Sequence, residues 1–347
     1  MAKPAFFVCL LASGLGCSEP RSQGPTWVDC VDCSLNLRTV AILGRNGPGI
    51  SPLGTVIEDH AGRFFVSDII RTSAVQLYSR TGTYLGTSGR GGRGPGEFQT
   101  IGAMALASDS LHVFDLDQAR ETIIDLKTGQ VSVRNTRPNT HRALRVGSTM
   151  ITIAPPRHTD PTTRMAIHAL SEDGVSRSFR EIADDVFGHA PLAVTTAGPD
   201  AIWIADRNRY TLERWSTSGE LLEVVERDAD WFPAHKRLPF RQDLEPYPLL
   251  WDIYARDQLL IVAIHVPDAR WREQFRDAPS PDMTFNGDYS RYFDTIIEVL
   301  DVPGRRIVGR ERFDEYFAGF TNRGKVLTYA ESADGDFIVR VSQLEFD

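Results

Sequence analysis

Residues 62–88 read GRFFVSDIIRTSAVQLYSRTGTYLGTS, and their rhythm decides the fold. A short strand-like run, Phe64-Phe65-Val66-Ser67, ends in Asp68. A second, Val75-Gln76-Leu77-Tyr78, follows after a brief connection. The turn at Thr81-Gly82 leads to a third, Thr83-Tyr84-Leu85. Period-two alternation broken by closely spaced turn residues specifies antiparallel strands. The same grammar returns at Leu111–Asp115, Thr122–Leu126 and Thr128-Gly129, and again at Ala201–Asp206, Leu212–Trp215 and Ser218-Gly219. An apolar strand precedes each unit: Gly54–Ile57, Ala103–Leu106 and Leu192–Thr195. The unit is therefore four strands recurring about every 45 residues, a period that belongs to repeat arrays and propellers.

Fainter copies fill the gaps. One uses Ala143–Val146, Met150–Ile153, Met165–Leu170 and Ser176–Ile182. Another uses Leu249–Ile253, Leu259–Val266, Thr295–Leu300 and Arg306–Arg312. A last uses Ala318–Thr321, Val326–Tyr329 and Phe337–Val341. This last copy lacks a fourth strand, and Leu37–Leu43 stands spare before the first. Pairing the two closes a ring and removes exposed sheet edges. The expected fold is all-β: a six-bladed β-propeller of four-stranded antiparallel blades over 36–347, with seven blades as the alternative count.

The stretch Gly89-Arg90-Gly91-Gly92-Arg93-Gly94-Pro95-Gly96-Glu97-Phe98 resembles the G-x-G-x-G-P-G-E-F signature between NHL repeats. Asp206-Arg207-Asn208-Arg209 is similar to the D-x-x-N-R stretch of the same repeat. The chain thus resembles bacterial six-bladed propellers of the NHL-like class, over 52–136 and 191–226 above all. The glycine run leads to a strand and lacks the Lys-Ser/Thr and helix of a phosphate loop. Its glycines are expected to permit a tight interblade turn. Asp68, Asp115 and Asp206 recur at one repeat position, which points to carboxylates accepting backbone N–H bonds in the following turn.

The first sixteen residues, MAKPAFFVCLLASGLG, place one lysine before an apolar run and small residues. That is the outline of a secretory signal peptide. Cys17 follows at once, and the segment resembles bacterial lipoprotein signals, which implies acylation of Cys17 and an anchor in the cell envelope, with Ser18 pointing to the outer membrane. Plain secretion or a soluble periplasmic protein is the alternative. Residues 17–35 then form a tether. The pair Cys30 and Cys33 within it is read as a structural disulfide in an oxidising compartment rather than a redox or zinc motif.

The chain is 347 residues long with a net charge of -8, so no basic groove for nucleic acid is expected. The histidines show no metal-ligand spacing, and no cofactor or metal site is assigned. Resembling propellers include sugar lactonases that hold a divalent metal with Glu, Asn and Asp at the axis. The innermost strands here begin apolar and small, although Glu97, Glu245 or Asp252 could approach the ring mouth.

Strand connectivity puts the longest segments, 87–100, 154–164, 227–247 and 266–293, on one face. Two of them flank the fifth blade. They carry Trp231, Phe232, Arg237 and Arg241 on one side, and Trp271, Arg272, Phe275, Tyr289 and Tyr292 on the other. Long loops rich in aromatics and arginine have the composition of recognition surfaces. The alternative is that they pack on themselves as a lid over the ring mouth. The Trp271–Phe275 spacing suits one helical turn in a short helix over 268–277. The expected function is binding of a protein, a peptide or an anionic or carbohydrate-like ligand, with the membrane touched only through the lipid anchor. The alternative is a metal-dependent lactonase, esterase or lyase at the ring mouth.

Overall fold

The computed structural model describes residues 27–30, 33–50, 54–68, 72–136, 139–154, 165–171, 174–181, 192–234, 245–275, 292–331 and 337–346. They form six four-stranded antiparallel sheets. Blade 1 comprises Thr55–Glu58, Phe64–Asp68, Thr72–Tyr78 and Tyr84–Ser88. Blade 2 comprises Ile101–Ala107, Ser110–Asp115, Arg120–Asp125 and Val131–Asn135. Blade 3 uses Arg142–Val146, Thr149–Ile153, Met165–Ser171 and Gly174–Glu181, and blade 4 Leu192–Thr196, Ala201–Asp206, Thr211–Ser216 and Leu221–Glu226. Blade 5 uses Leu249–Arg256, Leu259–Pro267, Phe293–Asp301 and Arg306–Phe313. Blade 6 takes Tyr316–Phe320, Val326–Glu331 and Phe337–Phe346 from the end of the chain, and its outermost strand, Leu35–Leu43, from the beginning.

The first strands of successive blades touch one another around the whole circle, blade 6 against blade 1 included. The chain is thus a six-bladed β-propeller. Closure is antiparallel, with Leu35 opposite Phe346 and Leu43 opposite Val339, and a register shift between Thr39 and Ala41.

The core is divided among the clefts between blades. Val113 points into the cleft with blade 1, beside Ile57 and Phe65, whereas its neighbour Phe114 points into the cleft with blade 3, beside Met150. In blade 5, Leu260, Val262 and Ile264 face blade 4, and Ile261 and Ala263 face blade 6. These second strands are therefore buried on both faces, and that of blade 5 reads as a nearly continuous apolar run. The outermost strand of blade 2, Val131–Asn135, is largely exposed and polar on one face.

The segment before the closing strand is fastened to the ring. Val28 pairs with Arg306 on the outer edge of blade 5, and the Trp27 indole donates to the Glu226 carbonyl of blade 4 at 3.0 Å. Cys30 and Cys33 are joined by a disulfide. Among the described residues, no helix is long and apolar enough to cross a membrane. The expected signal peptide and Cys17 lie outside the described residues.

Candidate functional site: the loop face of blade 5 and the ring mouth

Chain direction places the connections between second and third strands, and those from blade to blade, on one face. The links between third and fourth strands are tight turns on the other, closed by Gly82 N–H to Ser79 O and Gly219 N–H to Ser216 O, both at 3.0 Å. The elaborated face of blade 5 carries the two ends of its long second-to-third connection.

After the strand ending at Pro267, the chain turns into a five-residue 3-10 helix, Trp271–Phe275. It is tighter than the helical turn expected from sequence. Its start is held by Trp271 N–H to Asp268 O at 3.1 Å and Glu273 N–H to Arg270 O at 2.8 Å, both i to i+3 bonds. The Asp268 carboxylate caps the turn by accepting the Arg270 N–H. Trp271 is only 4% exposed and Tyr292 1%. Their rings meet edge to face at 6.4 Å, and Tyr292 meets Phe293 likewise at 4.7 Å. All three join the core between blades 6 and 1. Burial pushes the Tyr292 hydroxyl up to about 12. Arg272 stays exposed, its guanidinium stacked 4.7 Å over the Trp271 ring.

Trp231 and Phe232 lie on the opposite flank. Phe232 is buried in the core between blades 4 and 5, 5.4 Å from Tyr210, with Trp231 half-buried at its edge. Beside them the Glu298 carboxylate, fully buried, accepts the Tyr210 hydroxyl at 2.5 Å, Arg227 at 3.0 Å and Arg310 at 2.6 Å. Burial, followed by the Glu298 charge, holds the Tyr210 hydroxyl well above its ordinary range.

The structure thus brings Trp271, Arg272 and Tyr292 together and places Trp231 and Phe232 in a different cleft. Arg237, Arg241 and Tyr289 lie outside the described residues, as does the Phe275 side chain. Three acids on the same face had no sequence signature: Asp268, Asp294 and Asp314 converge. Lone aspartates far apart in sequence give nothing to read.

At the ring mouth the inner strands contribute more than small apolar residues. Arg142 of blade 3 reaches Asp252 of blade 5 at 3.1 Å, although the two blades are not neighbours. Asp252, 2% exposed, also accepts the Ile253 and Phe320 N–H groups. Next to it, the His265 ring stacks on Trp251 at 4.5 Å and donates from Nε2 to the Phe317 carbonyl at 2.8 Å. Arg207 caps the stack 4.2 Å above Trp251. Burial drives the His265 pKa down to about 3, so its ring is neutral.

The glycine run is a self-contained turn. Glu97 accepts Arg93 N–H at 3.0 Å and Gly94 N–H at 2.8 Å, and pairs with Arg90 at 2.7 Å. The Gly94 N–H, then Arg90, holds this carboxyl below its ordinary range. A side chain on Gly92 would meet the Glu97 carboxylate at 2.2 Å. The loop's donors therefore serve its own carboxylate, not a phosphate. Asp115 accepts N–H bonds from Gln99, Asp117 and Gln118 at 2.7, 3.0 and 3.0 Å, the turn-fixing role expected of the repeat aspartate. Asp206 instead pairs with Arg180 of blade 3 at 2.8 Å.

This architecture is that of known propellers. No family model and no curated protein matches the chain. Among solved structures it is similar to a Bacteroides fragilis protein described as a candidate exported protein, at 10% identity and a TM-score of 0.61, covering 92% of this chain and 99% of that one. A DUF4221-family member from Bacteroides vulgatus is similar at 11% identity and a TM-score of 0.61, covering 90% and 99%. The RRP9 WD40 repeats follow at 11% identity and a TM-score of 0.51, covering 89% and 100%. At such identities the likeness is one of fold.

Proposed function

We propose that the chain is an exported, NHL-like propeller that binds a ligand or partner on the elaborated face of blade 5. The observation that carries this reading is the exposed Arg272 guanidinium laid over Trp271, whose ring is anchored in the core. A cation held on a rigid aromatic platform loses little entropy on binding and suits an anionic partner. The signal-like N-terminus and the Cys30–Cys33 disulfide support export. An acyl group on Cys17 would then hold the propeller at an envelope membrane.

The test is a melting-temperature screen of wild type and Arg272→Glu against acidic peptides, anionic glycans and small carboxylates. Arg272 is exposed, so the variant keeps the fold. A ligand that raises the wild-type Tm and leaves the variant unmoved supports the reading. Equal shifts in both proteins, or none with any class, reject it. Mass spectrometry of the mature N-terminus tests the anchor, which predicts a diacylglyceryl adduct on Cys17.

A further inference from the structure

Asp268 follows the second strand of blade 5, Asp294 lies at the start of the third, and Asp314 links the outermost strand to blade 6. One carboxylate oxygen from each lies within 4.8 Å of the others. Asp268 is 4% and Asp294 7% exposed, while Asp314 opens to solvent. Among the described residues, two arginines face these three acids. Arg312 pairs with Asp294 Oδ2 at 2.5 Å, and Arg270 stands 3.8 Å from Asp268. Arg312 also donates to the Pro267 carbonyl at 2.8 Å. The other oxygen of Asp294, Oδ1, is buried and has no hydrogen-bond partner.

A buried carboxylate oxygen without a donor carries its full desolvation cost. A cation close to that oxygen would offset the cost. Among the described residues the donors are all carboxylate oxygens, the set that hard divalent cations take, rather than the nitrogen and sulfur set of zinc. Calcium–oxygen bonds of about 2.3–2.6 Å put two ligands of one ion at most about 5 Å apart, and the three oxygens fall inside that span.

We infer that Asp268, Asp294 and Asp314 bind one hard divalent cation of the calcium type, with Asp314 as the solvent-facing ligand. The site stands on the elaborated face of blade 5, apart from the Arg142–Asp252 pair in the ring mouth. An ion there clamps both ends of the long connection to the link with blade 6. Through Asp268 it also fixes the turn that carries Trp271 and Arg272. The inference does not depend on the binding reading above.

The experiment is calorimetric titration of the EDTA-stripped full chain with calcium chloride, with melting curves alongside. One equivalent is expected to bind. At a hundredfold excess over Kd the Tm is expected to rise by about 3–5 °C. Asp314→Asn, at the surface, is expected to weaken binding at least about tenfold, and Asp294→Asn to abolish it. Asp109→Asn, on blade 2, is expected to bind as wild type. No calcium heat and no melting shift in the wild type would overturn the site, as would wild-type affinity in Asp314→Asn. Should Asp294→Asn fail to fold, the Asp314 result decides alone.

Discussion

Two buried polar residues govern stability through opposite electrostatic devices. Glu298 is a fully buried anion answered by two arginines and a tyrosine hydroxyl. Removing it leaves Arg227, whose side chain is 4% exposed, only the exposed Asp29 carboxylate at 3.6 Å as a counter-charge. Loss of one partner from a buried ion pair costs about 3–5 kcal/mol, so Glu298→Ala is expected to destabilise by that amount in urea unfolding. Tyr210→Phe removes one charged-group hydrogen bond and is expected to cost about 1.5–3 kcal/mol. His265, by contrast, is kept neutral by burial, with a pKa of about 3 against 6.5 ordinarily. Between those values the unfolded chain holds a proton that the folded chain refuses. The contribution of His265 is thus complete above about pH 6.5 and is lost progressively as pH falls toward 3. His265→Gln can keep a donor for the Phe317 carbonyl. Urea midpoints at pH 7, 5 and 4 are expected to fall less steeply in this variant than in wild type. Parallel falls would show that His265 takes up its proton in the folded chain as readily as in the unfolded one.

At the scale of the element, turns and strand alternation carried the fold. The Thr81-Gly82 turn of blade 1 was readable because only a residue tolerant of positive φ fits it, and Gly82 has φ of 90°. What sequence did not reveal is its neighbour. A Cβ on Gly82 would lie 2.3 Å from the Ile42 carbonyl oxygen of the closing strand. Gly82→Ala therefore strains the turn and pushes blade 1 off blade 6. A loss of more than about 1 kcal/mol is expected, beyond the ordinary glycine-to-alanine effect. An unchanged Tm would mean that the turn relaxes away from Ile42. Second strands were harder to bound. Leu259–Pro267 is buried on nearly its whole length because it serves two clefts, so it lacks the alternation that marks an edge strand.

At the scale of the whole molecule, six units and their closure were legible because each repeat carries its own turns and period. The candidate site was not legible to the same degree. Composition marked the connections around blade 5 as rich in aromatics and arginine, but it does not tell which way a side chain turns. Trp271 and Tyr292 turn into the cleft between blades 6 and 1, Phe232 into the cleft between blades 4 and 5, and Arg272 outward. The three aspartates met only because the ring folds two connections onto one face.

Closure itself makes the last prediction. The strand Leu35–Leu43 contributes Leu35, Ala41 and Leu43, each no more than 4% exposed, to the two clefts beside blade 6. Burying two leucines alone is worth about 3–6 kcal/mol. The net stability of an ordinary domain is only about 5–15 kcal/mol. Without the strand, the ten-residue edge Phe337–Phe346 also lies open to pair with other chains. A chain lacking residues 1–43 is therefore expected to aggregate or to lose cooperative unfolding. A peptide of residues 27–43 added in trans is expected to restore a monomer by size exclusion. A truncated chain that stays monomeric at the wild-type Tm would show that five complete blades and a three-stranded sixth hold the ring unaided, and that the N-terminal strand only covers an edge.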